Sequence, residues 1–141
     1  MNYKLYHSTE IIGSTPLDHD HSVGFHDVRP FNKSNNNLVL LHRYPLMNLG
    51  FKKNNHDKID ICIWDFNKSK IEKIDETDTW SWEQGSRLQW INEKEIIYNQ
   101  SINQNPSSAI YNILNNNKKT LNTCIYSINK NGSILSINYS R

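Results

Sequence analysis

The stretch Lys58-Ile-Asp-Ile-Cys-Ile-Trp-Asp-Phe66, followed by Asn67-Lys-Ser-Lys70 and then Ile71-Glu-Lys-Ile-Asp75, decides how this chain is read. Its first part offers no polar relief between Ile61 and Trp64, the pattern of a strand buried on both faces, as in an inner strand of a stacked sheet. The middle part is polar and turns the chain. The last part alternates apolar and polar residues like an outer strand.

Working outward, the same sentence recurs. Before it, His26-Asp-Val-Arg-Pro-Phe31 reads as extended, Asn32-Lys-Ser-Asn-Asn-Asn37 as a turn and Leu38-Val-Leu-Leu-His42 as a strand. After it come strands at Leu88–Ile91 and Glu95–Asn99, with Asn92–Lys94 turning between them, then Ser108–Leu114, the turn Asn115–Asn117 and Lys118–Leu121. A third copy starts at Cys124–Ile128, turns at Asn129–Gly132 and ends in Ser133–Asn138; its Asn131-Gly132 pair is the strongest hairpin signal present. The first 25 residues read as an extended lead-in, with one strand around Tyr3 to Tyr6. Corresponding turns near Asn32, Asn92 and Asn129 lie 60 and 37 residues apart, the longer gap holding an insertion from Arg43 to Asp57. Periods of roughly 40–50 residues with four short strands each point to β-propeller blades. One four-stranded sheet cannot bury both of its faces alone, and stacking blades hides them. The expectation is therefore an all-β, partial β-propeller over residues 26–141, two blades of four antiparallel strands plus the start of a third. A two-sheet sandwich uses the same short strands and is the main alternative. The chain stops just after a strand, so it is expected to be an N-terminal piece of a longer propeller, with the remaining blades implied, or a truncated relative of one.

Composition agrees. Asn is the commonest residue, 21 of 141, Ile follows at 17, and Ala occurs once, at Ala109. Asn competes with helices and suits turns, while Ile, Tyr and Trp suit a pleated, half-buried surface. A net charge of +2, mixed in sign, gives no footprint for nucleic acid. The longest apolar run, Leu38 to Leu41, is far short of the ~20 residues that span a bilayer, and the N-terminus lacks the apolar core of a secretory signal. These features predict no membrane association and a cytoplasmic location. Two cysteines without CxxC spacing exclude a zinc ribbon or a disulfide-stapled scaffold.

The segments Asp27-Val-Arg-Pro-Phe31, Leu38-Val-Leu-Leu-His-Arg43 and above all Trp80-Ser-Trp-Glu-Gln-Gly-Ser-Arg-Leu-Gln-Trp90 resemble a family of bacterial propeller proteins related to the oligogalacturonate-lyase and TolB-like propellers. The family's segment reads W-x-W-Q-Q-G-x-x-L-Q-W and continues into a strand matched by Ile96-Ile97-Tyr98-Asn99. A later hairpin is matched by Tyr126-Ser127 and Asn131-Gly132. The resemblance covers about Thr15 to Arg141, the first part of a family member. Glu83 stands where the family has Gln, and Asn131 where blade turns usually carry Asp. The first-blade turn, Asn32 to Asn37, has no Gly. The resemblance implies a propeller, and for some members a metal held by His residues of other blades, which do not map onto this chain.

Candidate residues concentrate in the Trp-rich segment. Trp80, Trp82 and Trp90 offer faces for sugar rings, and Gln84, Arg87 and Gln89 offer groups for hydroxyls; binding sites mix aromatic walls with a few placed polar groups. The competing reading has the Trp residues wedged between blades with their indole N–H groups on neighbouring backbone. Arg29 is expected either to pair with Asp27 and fix the first blade or to meet an anionic sugar. His19, His21 and His26, with Asp18, Asp20 and Asp27, form a weak candidate for a divalent metal. No other cofactor is expected. Glu83 near Arg87 is a candidate general acid, His42-Arg43 reads as a blade-edge cap, and Cys62 as a buried free thiol. Three functions are open on these grounds. One is a non-catalytic propeller piece that binds a carbohydrate or a protein partner. Another is the N-terminal part of a glycan lyase or glycosyl-transfer enzyme whose catalytic residues lie in other blades. The third is a purely structural or interaction module, favoured if the Trp side chains prove fully buried.

Overall fold

The structure is a computed structural model, and it describes residues 14–45 and 57–137. Ten strands form, and the described residues contain no helix. Two successive antiparallel meanders have four strands each. The first consists of β1 (Asp20–Ser22), β2 (Leu38–Tyr44), β3 (Ile59–Asp65) and β4 (Lys70–Thr77), and the second of β5 (Gln89–Trp90), β6 (Glu95–Ile102), β7 (Asn105–Asn112) and β8 (Asn117–Leu121). A hairpin of β9 (Cys124–Ile128) and β10 (Ile134–Ile137) follows. The chain is thus all-β and built from sequential meanders, as the recurring pattern predicts. The expected strand near Tyr3–Tyr6, most of the insertion between Arg43 and Asp57, and the end of the last strand at Asn138 lie outside the described residues.

The turns show why Asn is so abundant. Asn103 and Gln104 both take positive φ (49° and 65°), the two-residue hairpin geometry that matches strand twist, and Asn116 does the same at 57°. Asn32, Asn92, Asn112 and Asn115 use their side-chain oxygens to accept backbone N–H groups two or three residues on. Gly132, at φ 83°, closes the β9–β10 turn predicted from Asn131-Gly132.

Two departures from the sequence pattern concern the first sheet. Its edge strand is β1, which comes from the segment read as lead-in and pairs Asp20 with Tyr44 and Ser22 with His42. The stretch 23–30 then loops away, and only Phe31 returns to the same edge, opposite Val39. Pro30 and Gly24 flank this excursion; Pro cannot donate to a ladder and Gly24 sits at φ 82°. The second concerns burial. The strands buried on both faces are β2 and β6, the second of each sheet, whereas in β3 Ile61 and Cys62 are buried but Ile63 and Trp64 are partly open. Opposite Ile61 and Cys62 the register shifts by one residue, with Ile74 of β4 left unpaired.

The three sheets stack in chain order. Leu40 and Ile61 of the first sheet form one core with Leu88, Trp90, Ile96, Tyr98 and Ala109 of the second. Side chains alternate along β6, so Ile97 and Asn99 point to the opposite face, towards β9. There Asn99 replaces a missing strand pairing: its Oδ1 accepts from the Ile125 N–H (2.8 Å) and its Nδ2 donates to the Ile125 carbonyl (3.0 Å). The Ser108 hydroxyl also donates to Oδ1 (3.0 Å), which leaves this buried amide well satisfied. On the other side, the Thr77 hydroxyl donates to the Asn99 carbonyl (2.7 Å) and Tyr98 donates to Asp75, which also pairs with Lys118 at 2.7 Å. An Asn99→Ala variant strands the N–H and carbonyl of Ile125 in a dry interface. It is expected to lose on the order of 2–4 kcal/mol, read as a lower urea midpoint with an unchanged slope.

Candidate functional site

The Trp-rich segment is a closed loop leading into β5. Ser81 and Gly85 exchange both backbone hydrogen bonds (3.0 and 2.9 Å), so Trp82, Glu83 and Gln84 project from a tight five-residue ring. Gly85 takes φ 57° and lies flat on the His42 imidazole, where an added Cβ would sit 2.3 Å from Cε1. Only glycine fits both demands. His42 is fully buried and not at a blade edge, which corrects the expectation of an edge cap. Its Nε2 accepts from the Ser86 N–H (3.1 Å), with the Ser86 hydroxyl at 2.9 Å, so the neutral ring carries its proton on Nδ1. Burial pushes the His42 pKa down to about 4, against a smaller opposing pull from the Ser22 backbone. His42 therefore anchors the loop from below.

Arg87, at φ 59° and only 2% exposed, is the tie between the sheets. It makes a bidentate pair with Asp27 (2.9 Å to each oxygen), donates through Nε to the Tyr126 carbonyl (2.8 Å) and lies 4.2 Å above the Tyr126 ring. Hydrogen bonding to Arg87 holds the Asp27 carboxyl below the usual range, since burial at that exposed position opposes it only weakly. Asp27 thus pairs with Arg87 and not with Arg29. Sequence proximity suggested the Arg29 pairing, but both Asp27 oxygens are taken by the Arg87 fork. Gln89 completes the tie. Its Nε2 donates to the carbonyls of Arg87 and Tyr126 (3.0 Å each), and its Oε1 accepts from the Ile128 N–H (3.2 Å).

The indoles divide in two. Trp80 and Trp90 are buried and donate to the carbonyls of Asp57 (2.7 Å) and Pro30 (2.8 Å), Trp90 within the core shared by the first two sheets and Trp80 against Tyr44 and Ile59 of the first. Trp82 remains 52% exposed, its ring 5.9 Å from Tyr44 in a near-parallel stack and 4.9 Å from Trp80 in an edge contact. The loop's other residues border a cleft of about 370 Å³, lined by Thr79, Trp80, Glu83, Gln84, Arg87 and Asn99 but not by Trp82 itself. Of the residues proposed from sequence, the structure brings Trp80, Trp82, Gln84, Arg87 and Gln89 into one region and leaves Arg29 outside it. Arg29 borders a separate hollow of about 560 Å³ with Phe31, Phe66 and three asparagines.

Glu83 lines the cleft but faces no acid–base partner, because the guanidinium of Arg87 is taken up by Asp27. The Ser86–His42 pair is sealed beneath Gly85 and presents no nucleophile to the cleft. His19 and His21 lie with ring centroids 6.3 Å apart and His26 is packed on Phe25. Among the described residues, no group of three or more His, Cys, Asp or Glu converges to hold a metal ion. Cys62 and Cys124 are buried free thiols, and burial pushes Cys62 up to about 11, which keeps it inert. Sequence reasoning missed Tyr44 and gave His42 the wrong place. Their signal was present, since a polar ring at the end of the apolar run 38–41 must find a buried partner. No protein-family model, curated protein or solved structure matches this chain.

Two predictions follow from this geometry. Gly85→Ala must displace His42 and adopt a strained φ, and is expected to cost more than about 3 kcal/mol, seen as a large drop in thermal midpoint. His42 has an ordinary pKa of 6.5 and about 4 when folded, so the unfolded chain binds the proton that the folded chain refuses. Its contribution is complete above pH 6.5 and is lost as pH falls towards 4, by up to about 1.4 kcal/mol per pH unit. Urea midpoints measured across that window should fall more steeply for the native chain than for His42→Gln; parallel curves would refute the assignment.

Proposed function

We infer that this chain is part of a β-propeller whose Trp82 loop binds carbohydrate. The support for the propeller is the sequential stacking of four-stranded meanders, with the middle sheet covered on both faces by its neighbours in the chain. It gains weight from the way the loop after β1, the entry to β5 and strand β9 meet, where Asp27, Arg87, Gln89 and Tyr126 are joined. The single observation that carries the binding reading is the half-exposed indole of Trp82. It is braced by Tyr44 and Trp80, and the next two residues of its loop, Glu83 and Gln84, line the cleft. An aromatic face held rigid costs little entropy to use, and the Gln84 amide nearby in the loop suits sugar hydroxyls. Binding is favoured over catalysis because the hydroxyl–imidazole pair nearest the cleft is buried and Arg87 is already neutralised.

Retention on glycan affinity gels tests this. Trp82→Ala is expected to abolish retention while lowering the unfolding free energy by no more than about 1 kcal/mol, as suits a half-exposed side chain. Trp80→Ala should instead cost about 3–5 kcal/mol, because it empties a buried site. Undiminished retention for Trp82→Ala would remove the loop from consideration.

A further inference from the structure

The hollow that Arg29 borders differs in make-up from the Trp82 loop. Its walls are Arg29, Phe31, Asn36, Asn37, Phe66 and Asn67, so it carries a cation and no carboxylate. Among the described residues, the Arg29 guanidinium and the side-chain amides of the three asparagines have no hydrogen-bond or ion-pair partner. The acid next to the hollow in sequence, Asp65, is already met by Lys68 at 2.9 Å.

The walls are fixed by their backbone. The Asn32 N–H donates to the Leu38 carbonyl (3.0 Å) and the Leu40 N–H to the Pro30 carbonyl (2.9 Å), which holds the Phe31 segment to β2. Asn32 closes the turn that carries Asn36 and Asn37, and its Nδ2 donates to the Glu93 carbonyl of the next sheet (3.0 Å). The Phe66 N–H donates to the Asn37 carbonyl (2.9 Å), and the Phe66 ring is backed by Trp64 in an edge contact at 4.3 Å. Phe31 is 37% exposed, with its ring centroid 6.4 Å from that of Phe66. Walls held in this way lower the ordering cost of binding.

Each unpartnered group has a matching chemistry. A guanidinium fork fits phosphate. Aromatic side chains take up the flat surface of a nucleobase. A side-chain amide donates and accepts at once, which fits N6 and N7 of adenine, whereas guanine presents two acceptors on the same edge. The volume, about 560 Å³, is that of a small-molecule site.

We propose that this hollow binds an adenine nucleotide, its phosphate on Arg29, its base against Phe31 and Phe66, and the edge of the base on the asparagine amides. The site is separate from the Trp82 loop and does not depend on the carbohydrate reading.

Isothermal titration of the whole chain with adenosine monophosphate, guanosine monophosphate, adenosine and ribose 5-phosphate tests it. Adenosine monophosphate is expected to bind best, about three-fold tighter than adenosine, the size of effect an exposed ion pair gives, with a margin that shrinks in added salt. Ribose 5-phosphate, which has no base to stack, should bind at least about ten-fold more weakly. Arg29→Gln should bring the nucleotide down to the level of adenosine. Asn36→Asp, an exposed change that sets a carboxylate in the hollow, should weaken the nucleotide more than adenosine. Both variants should keep the native thermal midpoint within a few degrees. Equal binding of adenosine and its monophosphate, equal binding of the guanine nucleotide, unchanged nucleotide binding in Arg29→Gln, or no binding of any of the four would overturn the proposal.

Discussion

A buried guanidinium is costly to desolvate, and the rest of this structure is arranged around meeting the demands of one. Arg87 reaches Asp27 in the excursion of the first sheet, stands at the entry to the second and lies against Tyr126 in the third. Removing a charge of this kind from water is tolerable only when an opposite charge meets it with good geometry, as the fork-to-fork pair with Asp27 provides. The consequence is positional. Three segments far apart in sequence are pinned to one point, and the Trp-rich loop that precedes Arg87 is fixed along with them. Gly85 and His42 fix the same loop from beneath, through close packing and a hydrogen bond to Ser86.

The interfaces between sheets use two different kinds of contact. Between the first and second sheets the join is mainly apolar, with Leu40 and Ile61 against Ile96, Tyr98 and Ala109. Between the second and third it is an amide interface, in which Asn99 and Gln89 bond directly to the backbone of β9. Such an interface specifies register, because an amide in a dry setting must find its partners at one position along the strand. The hydrophobic join supplies burial, while the polar one sets where the hairpin sits.

The site follows from that division of labour. Every polar group that ties the sheets together is used up in doing so, which leaves the cleft with little free chemistry of its own. What remains at the surface is an indole, a carboxylate and a few neutral groups, an inventory for recognition. The ionic ladder on the first sheet, in which Arg43, Asp60, Lys73, Glu76 and Lys58 alternate across three strands, faces away from this region and belongs to the surface.

Strand positions, turn positions and the all-β class were legible in the sequence, because alternation, Asn-rich turns and the near-absence of Ala act locally. The recurring turns at Asn32, Asn92 and Asn129 do precede the second strand of each sheet, as their spacing implied. The identity of the first edge strand was not legible, since the pairing of Asp20–Ser22 with β2 depends on a loop that leaves the sheet and returns. The Trp-rich segment stood out by composition, but composition could not divide its indoles. Only the packing of the sheets decided that Trp80 and Trp90 are buried donors while Trp82 stays open, and that Asp27 answers Arg87 sixty residues away and not its neighbour Arg29. Local patterns are set by backbone sterics and side-chain periodicity, which a sequence carries residue by residue. Partner choice among buried polar groups is set by which surfaces the chain brings together, and that is a property of the folded whole.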